Sequence, residues 1–188
     1  MNLQPAATSE QHPTPQWSER LEDFLPAASA AAQAWLREPG LLTDRLRACC
    51  SGQTGLVIVA QALAPLSGAD AALLNGSGGA AFVREIELTC DGRAWVFAQT
   101  LIPDATLARQ RWLSTLGRAA LGERLAAVPG IVRGPLEFAR LAPGDRLYQR
   151  ALRDRPDPPP LLWARRSWFA IDADRLLVQE VFLPESDS

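Results

Sequence analysis

Between Phe82 and Pro103, two runs rich in β-branched and aromatic residues flank the dipeptide Asp91-Gly92. Polar and apolar residues alternate along the first run, as in a strand with one buried face. Asp-Gly supplies the positive φ angles of a tight turn, so FVREIELTCDGRAWVFAQTLIP predicts an antiparallel hairpin. Side chains alternate across a strand, which groups Phe82, Arg84, Ile86 and Leu88 on one face and Val83, Glu85, Glu87 and Thr89 on the other. Arg84 therefore stands among apolar neighbours. A guanidinium does not shed its proton, and burying it unpaired costs several kcal/mol, so an anionic partner is expected, either a protein carboxylate or a ligand's.

The same reading covers the rest of the chain. A short helical run is expected in SERLEDFL from Ser18, a second in the alanine-rich ASAAAQAWLRE after Pro26, and a third in LLTDRLRACC, whose Leu42, Leu46 and Cys49 share a helical face. TGLVIVAQAL (54–63) reads as a strand, and residues 64–80 as a flexible loop whose glycines carry no phosphate-binding pattern. Asp104 is placed to cap a helix over ATLARQRWLSTL that Gly117 ends, and ALGERLAAV forms one more. IVRGPLEFARL (131–141) reads as a strand interrupted at Gly134-Pro135, and Asp145 to Arg153 as a helical turn. LLWARRSWFAI and RLLVQEVFLP, joined by Asp172-Ala173-Asp174, form a second hairpin. The expected fold is α+β, an antiparallel sheet of about six strands with helices over one face. Residues 1–16, rich in Pro, Gln, Ser and Thr, are expected to be a flexible arm ahead of one domain spanning 17–188.

Composition narrows the chemistry. The net charge of −2 offers no basic surplus for nucleic acid or an anionic membrane. All 19 basic residues are arginine, so Schiff-base chemistry is excluded. The single histidine, His12, lies in the arm, which disfavours a histidine-based nucleophile pair or metal site. Three cysteines, Cys49, Cys50 and Cys90, without CxxC spacing are expected to be reduced, buried thiols. With no secretory signal and no span of membrane length, a cytoplasmic monomer is expected.

The last strand repeats the anomaly of the first hairpin. Leu176, Val178, Glu180 and Phe182 share a face, so a carboxylate also sits among apolar neighbours. Arg84 and Glu180 either form a buried salt bridge or line a pocket that holds an anionic ligand on Arg84 and another polar group of it on Glu180, where a raised carboxylate pKa would suit acid–base work. Arg165 and Arg166, being adjacent, face opposite sides, and solvated positions are the default for them. Trp95, Trp163 and Trp168 are read as core or rim aromatics.

The ordered motifs REIELTCDGRAWVFAQTLIPDATL, LGRAALGERL and WARRSWFAIDADRLLVQEVFLP resemble those of the chorismate pyruvate-lyase family, over roughly residues 34–184. The resemblance implies a lyase that cleaves chorismate to 4-hydroxybenzoate and pyruvate for ubiquinone biosynthesis, needing no metal or other cofactor. It places the arginine that binds the ring carboxylate at Arg84 and the glutamate beside the ring hydroxyl at Glu180. It places two backbone contacts from covering flaps at Leu42, where the family has methionine, and at Leu121, preceded by Ala120 instead of proline. Gln99 stands where arginine is common. Two other readings remain open: a non-catalytic small-molecule sensor of the same fold, as in effector domains of bacterial transcription regulators, and a lyase for a related enolpyruvyl compound. Those regulators carry a helix-turn-helix in front, and no basic recognition helix is visible here.

Overall fold

The computed structural model describes residues 15–75, 79–153 and 155–187. His12 and nearly all of the expected arm lie outside the described residues. The first hairpin forms as expected: β2 (Ala80–Cys90) and β3 (Arg93–Pro103) pair antiparallel about Asp91 and Gly92, whose φ angles of 47° and 76° make the primed turn that matches strand twist. β1 (Thr54–Pro65) pairs with β2 at one edge of the sheet. The second hairpin, β6 (Leu162–Ile171) and β7 (Asp174–Phe182), docks through β7 against β3. The interrupted stretch splits into β4 (Val132–Arg133) and β5 (Glu137–Leu141), both paired with the outer side of β6. The result is a seven-stranded antiparallel sheet of order β1-β2-β3-β7-β6-β4, one strand more than expected because the Gly134-Pro135 break makes two strands of one.

Register fixes what each face presents. One face collects Arg84, Ile86, Leu88, Ala98, Thr100, Val178, Glu180, Arg165, Ser167 and Phe169, each opposite or diagonal to the next. Over it lie α1 (Ala30–Leu36), α2 (Leu42–Cys49) and α5 (Leu121–Ala126). Trp35 of α1 is buried against Phe182 and Trp95, and its Nε1 donates to the Ser186 carbonyl at 2.9 Å, anchoring the helix to the chain's end. The opposite face carries Phe97, Ala164, Val181 and Leu177, packed under α6 (Arg146–Leu152) and, at one end, beside α3 (Gly68–Leu73).

Several local expectations change. Residues 64–80 are not simply loop, because Ser67 caps α3 by accepting from the Asp70 amide at 3.1 Å; positions 76–78 lie outside the described residues. The helix expected over 105–116 breaks into α4 (Asp104–Arg109) and a 3-10 turn (Arg111–Thr115), because Gln110 leaves the helical region with ψ at 60°. Asp104 is the first helical residue and makes no capping bond. SERLEDFL forms only 3-10 turns, Leu21–Asp23 and Leu25–Ala27. Cys50 and Cys90 are joined as a disulfide, with Cα atoms 5.7 Å apart, and Cys49 is exposed, which overturns the expectation of buried free thiols. Forty residues separate the bonded pair, and only the placement of α2 over the end of β2 brings them together. No helix among the described residues is long and apolar enough to cross a membrane.

Candidate active site

The face under α2 and α5 does not close completely. It leaves a cavity of about 380 Å³, lined by apolar side chains including Leu42, Ile86, Leu88, Leu121, Leu125, Phe169 and Val178, with Arg84, Arg133, Arg165 and Glu180 as its charged groups.

Arg84 is 1% exposed. Its Nη2 donates to the carbonyls of Gly117 and Ala119 at 2.9 and 3.2 Å, so the segment leading into α5 folds directly over it. Its Nε is buried without a partner, and no carboxylate among the described residues lies within ion-pair distance. Burial alone pulls its pKa below the ordinary arginine value, with no anion among the described residues to restore it. The partner Arg84 calls for is therefore not supplied by the described residues, and the expected alternative of an Arg84–Glu180 salt bridge is not formed.

Glu180 is paired elsewhere. Arg165 stands directly across from it on β6 and donates Nε to Oε2 at 2.7 Å, while Nη1 donates to the carbonyls of Trp35 and Glu38 at the end of α1. Arg165 is 1% exposed, so the default of a solvated position is wrong for it. It is equally wrong for Arg166, which is buried on the opposite face, donates to both carboxylate oxygens of Glu137 at 2.9 and 3.2 Å and lies over the Trp17 ring at 4.3 Å. The β6–β7 turn contains two residues, Asp172 and Ala173, one fewer than expected, and the shorter turn sets Arg165 opposite Glu180. That register was the signal in the sequence that could have identified Arg165.

The two flap positions sit at equivalent places. Leu42 opens α2 and Leu121 opens α5, both helices lack a side-chain cap, and both residues line the cavity. The first backbone N–H groups of a helix have no partner within it, so each flap brings unpaired amides to the same space. Gly122 follows Leu121 where a Cβ would lie 3.0 Å from Leu41 Cδ2, so the two flaps meet closely.

Gln99 does not face the cavity. It points to the other side of the sheet and donates to Glu85 Oε1 at 2.8 Å. Glu85, 2% exposed, is gripped there by Arg150 of α6, whose Nε donates to Oε1 at 2.9 Å. The Gln99 departure therefore alters a structural carboxylate network behind the sheet.

Comparison with known proteins gives consistent results. The family described as Chorismate lyase matches residues 15–187. A protein named probable chorismate pyruvate-lyase from Aromatoleum aromaticum is 42% identical over 164 residues, covering 85% of this chain and 88% of that protein. One of the same name from Nitrosospira multiformis is 36% identical over 171 residues, covering 88% and 94%. Among solved structures, the effector domain of PhnF from Mycobacterium smegmatis aligns with a TM-score of 0.53 at 18% identity over 78% of this chain and 90% of that one, a likeness of fold.

Proposed function

The chain belongs to the chorismate lyase family, and from that premise we infer that it converts chorismate to 4-hydroxybenzoate and pyruvate, the step that supplies the ring for ubiquinone. The observation that carries the placement of this reaction is a buried guanidinium with no anion among the described residues on the wall of an apolar cavity, three strand spacings from Glu180's partner Arg165.

In this reading the ring carboxylate of chorismate takes the position facing Arg84, and the unpaired amides at Leu42 and Leu121 complete the polar contacts from the flaps. Glu180, oriented by Arg165, accepts a hydrogen bond from the ring hydroxyl. The bond between the ring carbon and the ether oxygen breaks with its electrons going to that oxygen, the hydroxyl-bearing carbon gives up its hydrogen as a proton so that its C–H electrons complete the aromatic ring, and the three-carbon arm gains one proton at its methylene carbon and leaves as pyruvate. The cavity contributes by holding the substrate in one pose and by placing fixed charges among apolar walls, where they act more strongly than in bulk water. The same closure around the aromatic product implies tight retention of 4-hydroxybenzoate.

The test is direct: purified protein mixed with chorismate should produce 4-hydroxybenzoate and pyruvate in equal amounts. Glu180→Gln should fold and bind but turn over slowly, while Arg84→Ala should weaken 4-hydroxybenzoate binding by about 2–5 kcal/mol, the cost of losing a desolvated charge-assisted contact. Binding of 4-hydroxybenzoate with no turnover of chorismate would favour the sensor reading.

A further inference from the structure

Chorismate carries two carboxylates, and the reading above occupies only one of them. The other sits on the enolpyruvyl arm, the part that leaves. The cavity is charged for a dianion: its lining holds three guanidiniums, Arg84, Arg133 and Arg165, against the one carboxylate of Glu180. Arg165 is committed to Glu180 and to the carbonyls of α1, and Arg84 to the ring carboxylate. Arg133 remains.

Arg133 lies on β4 and sends its side chain back across β6. Its Nε donates to Ser167 Oγ at 3.0 Å, its Nη1 to the Pro39 carbonyl at 3.2 Å, and the guanidinium rests over the Phe169 ring with Cζ 5.5 Å from the centroid. Its Nη2 has no hydrogen-bond partner among the described residues. Register runs Arg84, Thr100, Val178, Ser167 in one row across the face, so Arg84 and the Ser167 anchor of Arg133 end a row three strand spacings long, roughly 14 Å. The space between them holds Glu180's side of the cavity, where the ring hydroxyl is assigned. Burial and the neighbouring charge of Arg165 both pull the Arg133 pKa down, and Glu180 only partly offsets them. Arginine keeps its proton regardless, so Arg133 presents an incompletely compensated cation to the cavity.

We propose that Arg133 binds the carboxylate of the enolpyruvyl arm. The proposal rests on the chorismate reading and adds a division of labour: substrate engages Arg84 and Arg133 together, whereas 4-hydroxybenzoate, which has lost the arm, engages Arg84 alone. Pyruvate then departs from Arg133 with its carboxylate while the ring product is still held.

The test compares Arg133→Gln and Arg133→Lys with the wild-type protein, measuring kcat and KM for chorismate and the Kd of 4-hydroxybenzoate. Loss of one charge-assisted contact should lower kcat/KM for chorismate about 10- to 100-fold in Arg133→Gln while the Kd of 4-hydroxybenzoate stays put. Arg133→Lys, which keeps the charge but not the fork, should fall between. Unchanged kcat/KM in both variants overturns the proposal. So does equal weakening of substrate and product, which would make Arg133 a tether for the loop at Pro39. Should Arg133→Gln fail to fold, Arg133→Lys decides alone by the same split between substrate and product. Wild-type protein that turns over no chorismate would instead sink the underlying reading.

Discussion

At the residue scale, the three cavity arginines do different work, and substitution separates them. Arg165 has an anionic partner and accepting carbonyls, so Arg165→Met strands Glu180 and should cost about 3–5 kcal/mol of stability, read by urea denaturation. Arg84 is just as buried but has no anion among the described residues, where the desolvation it suffers is compensated by two carbonyls. Arg84→Met, a change of similar length, should therefore leave stability near the wild-type value while removing 4-hydroxybenzoate binding. A large loss of stability in Arg84→Met would assign that residue a structural role. Glu180→Gln keeps the shape of the acceptor and loses its charge, so single-turnover kinetics should slow while the melting transition moves little. These contrasts follow from pairing, since burial alone does not distinguish Arg84 from Arg165.

At the scale of elements, the proposed function makes α2 and α5 the flaps that govern access. α2 and α5 both begin at the cavity with uncapped N-termini, and Leu41 at the start of one touches the space over Gly122 in the other. Glycine at that position is a matter of room for the opposing flap. Gly122→Val adds branched bulk against Leu41 and should hold the flaps apart, and stopped-flow measurement should show 4-hydroxybenzoate leaving faster with its association rate little changed. Slower release in that variant would mean the flaps meet elsewhere. The hairpins, by contrast, set positions. Their turns fix the register that brings Arg84, Thr100, Val178 and Ser167 into one row and Glu180 opposite Arg165.

At the scale of the molecule, the two faces of the sheet are put to different uses. The face under α1, α2 and α5 keeps a cavity with uncompensated positive charge, whereas the cavity on the other face is lined by charges that close on one another, Glu85 with Arg150 and Gln99, and Arg166 with Glu137 beside it. The Cys50–Cys90 disulfide joins the end of the first flap helix to the end of β2, the strand that carries Arg84. Reduction, or Cys50→Ser, should lower stability by about 2–4 kcal/mol and shorten the residence of 4-hydroxybenzoate, measured by thermal melts and product release with and without dithiothreitol. Unchanged release on reduction would show that the flap is held by its apolar contacts alone.

Both hairpins, the break at Gly134-Pro135 and the inward turn of Arg84 and Glu180 were legible in the sequence, because strand alternation and turn chemistry are local and act over a few residues. The order of motifs likewise pointed to the family. Tertiary structure alone decided with whom each charge is paired: that Arg84 meets no carboxylate among the described residues, that Glu180 belongs to Arg165, that Gln99 serves Glu85 behind the sheet and that Cys50 reaches Cys90. A side chain's direction follows from its own strand, but its partner follows from register and from which helix lies above, and one residue more or less in the β6–β7 turn would have given Glu180 a different neighbour.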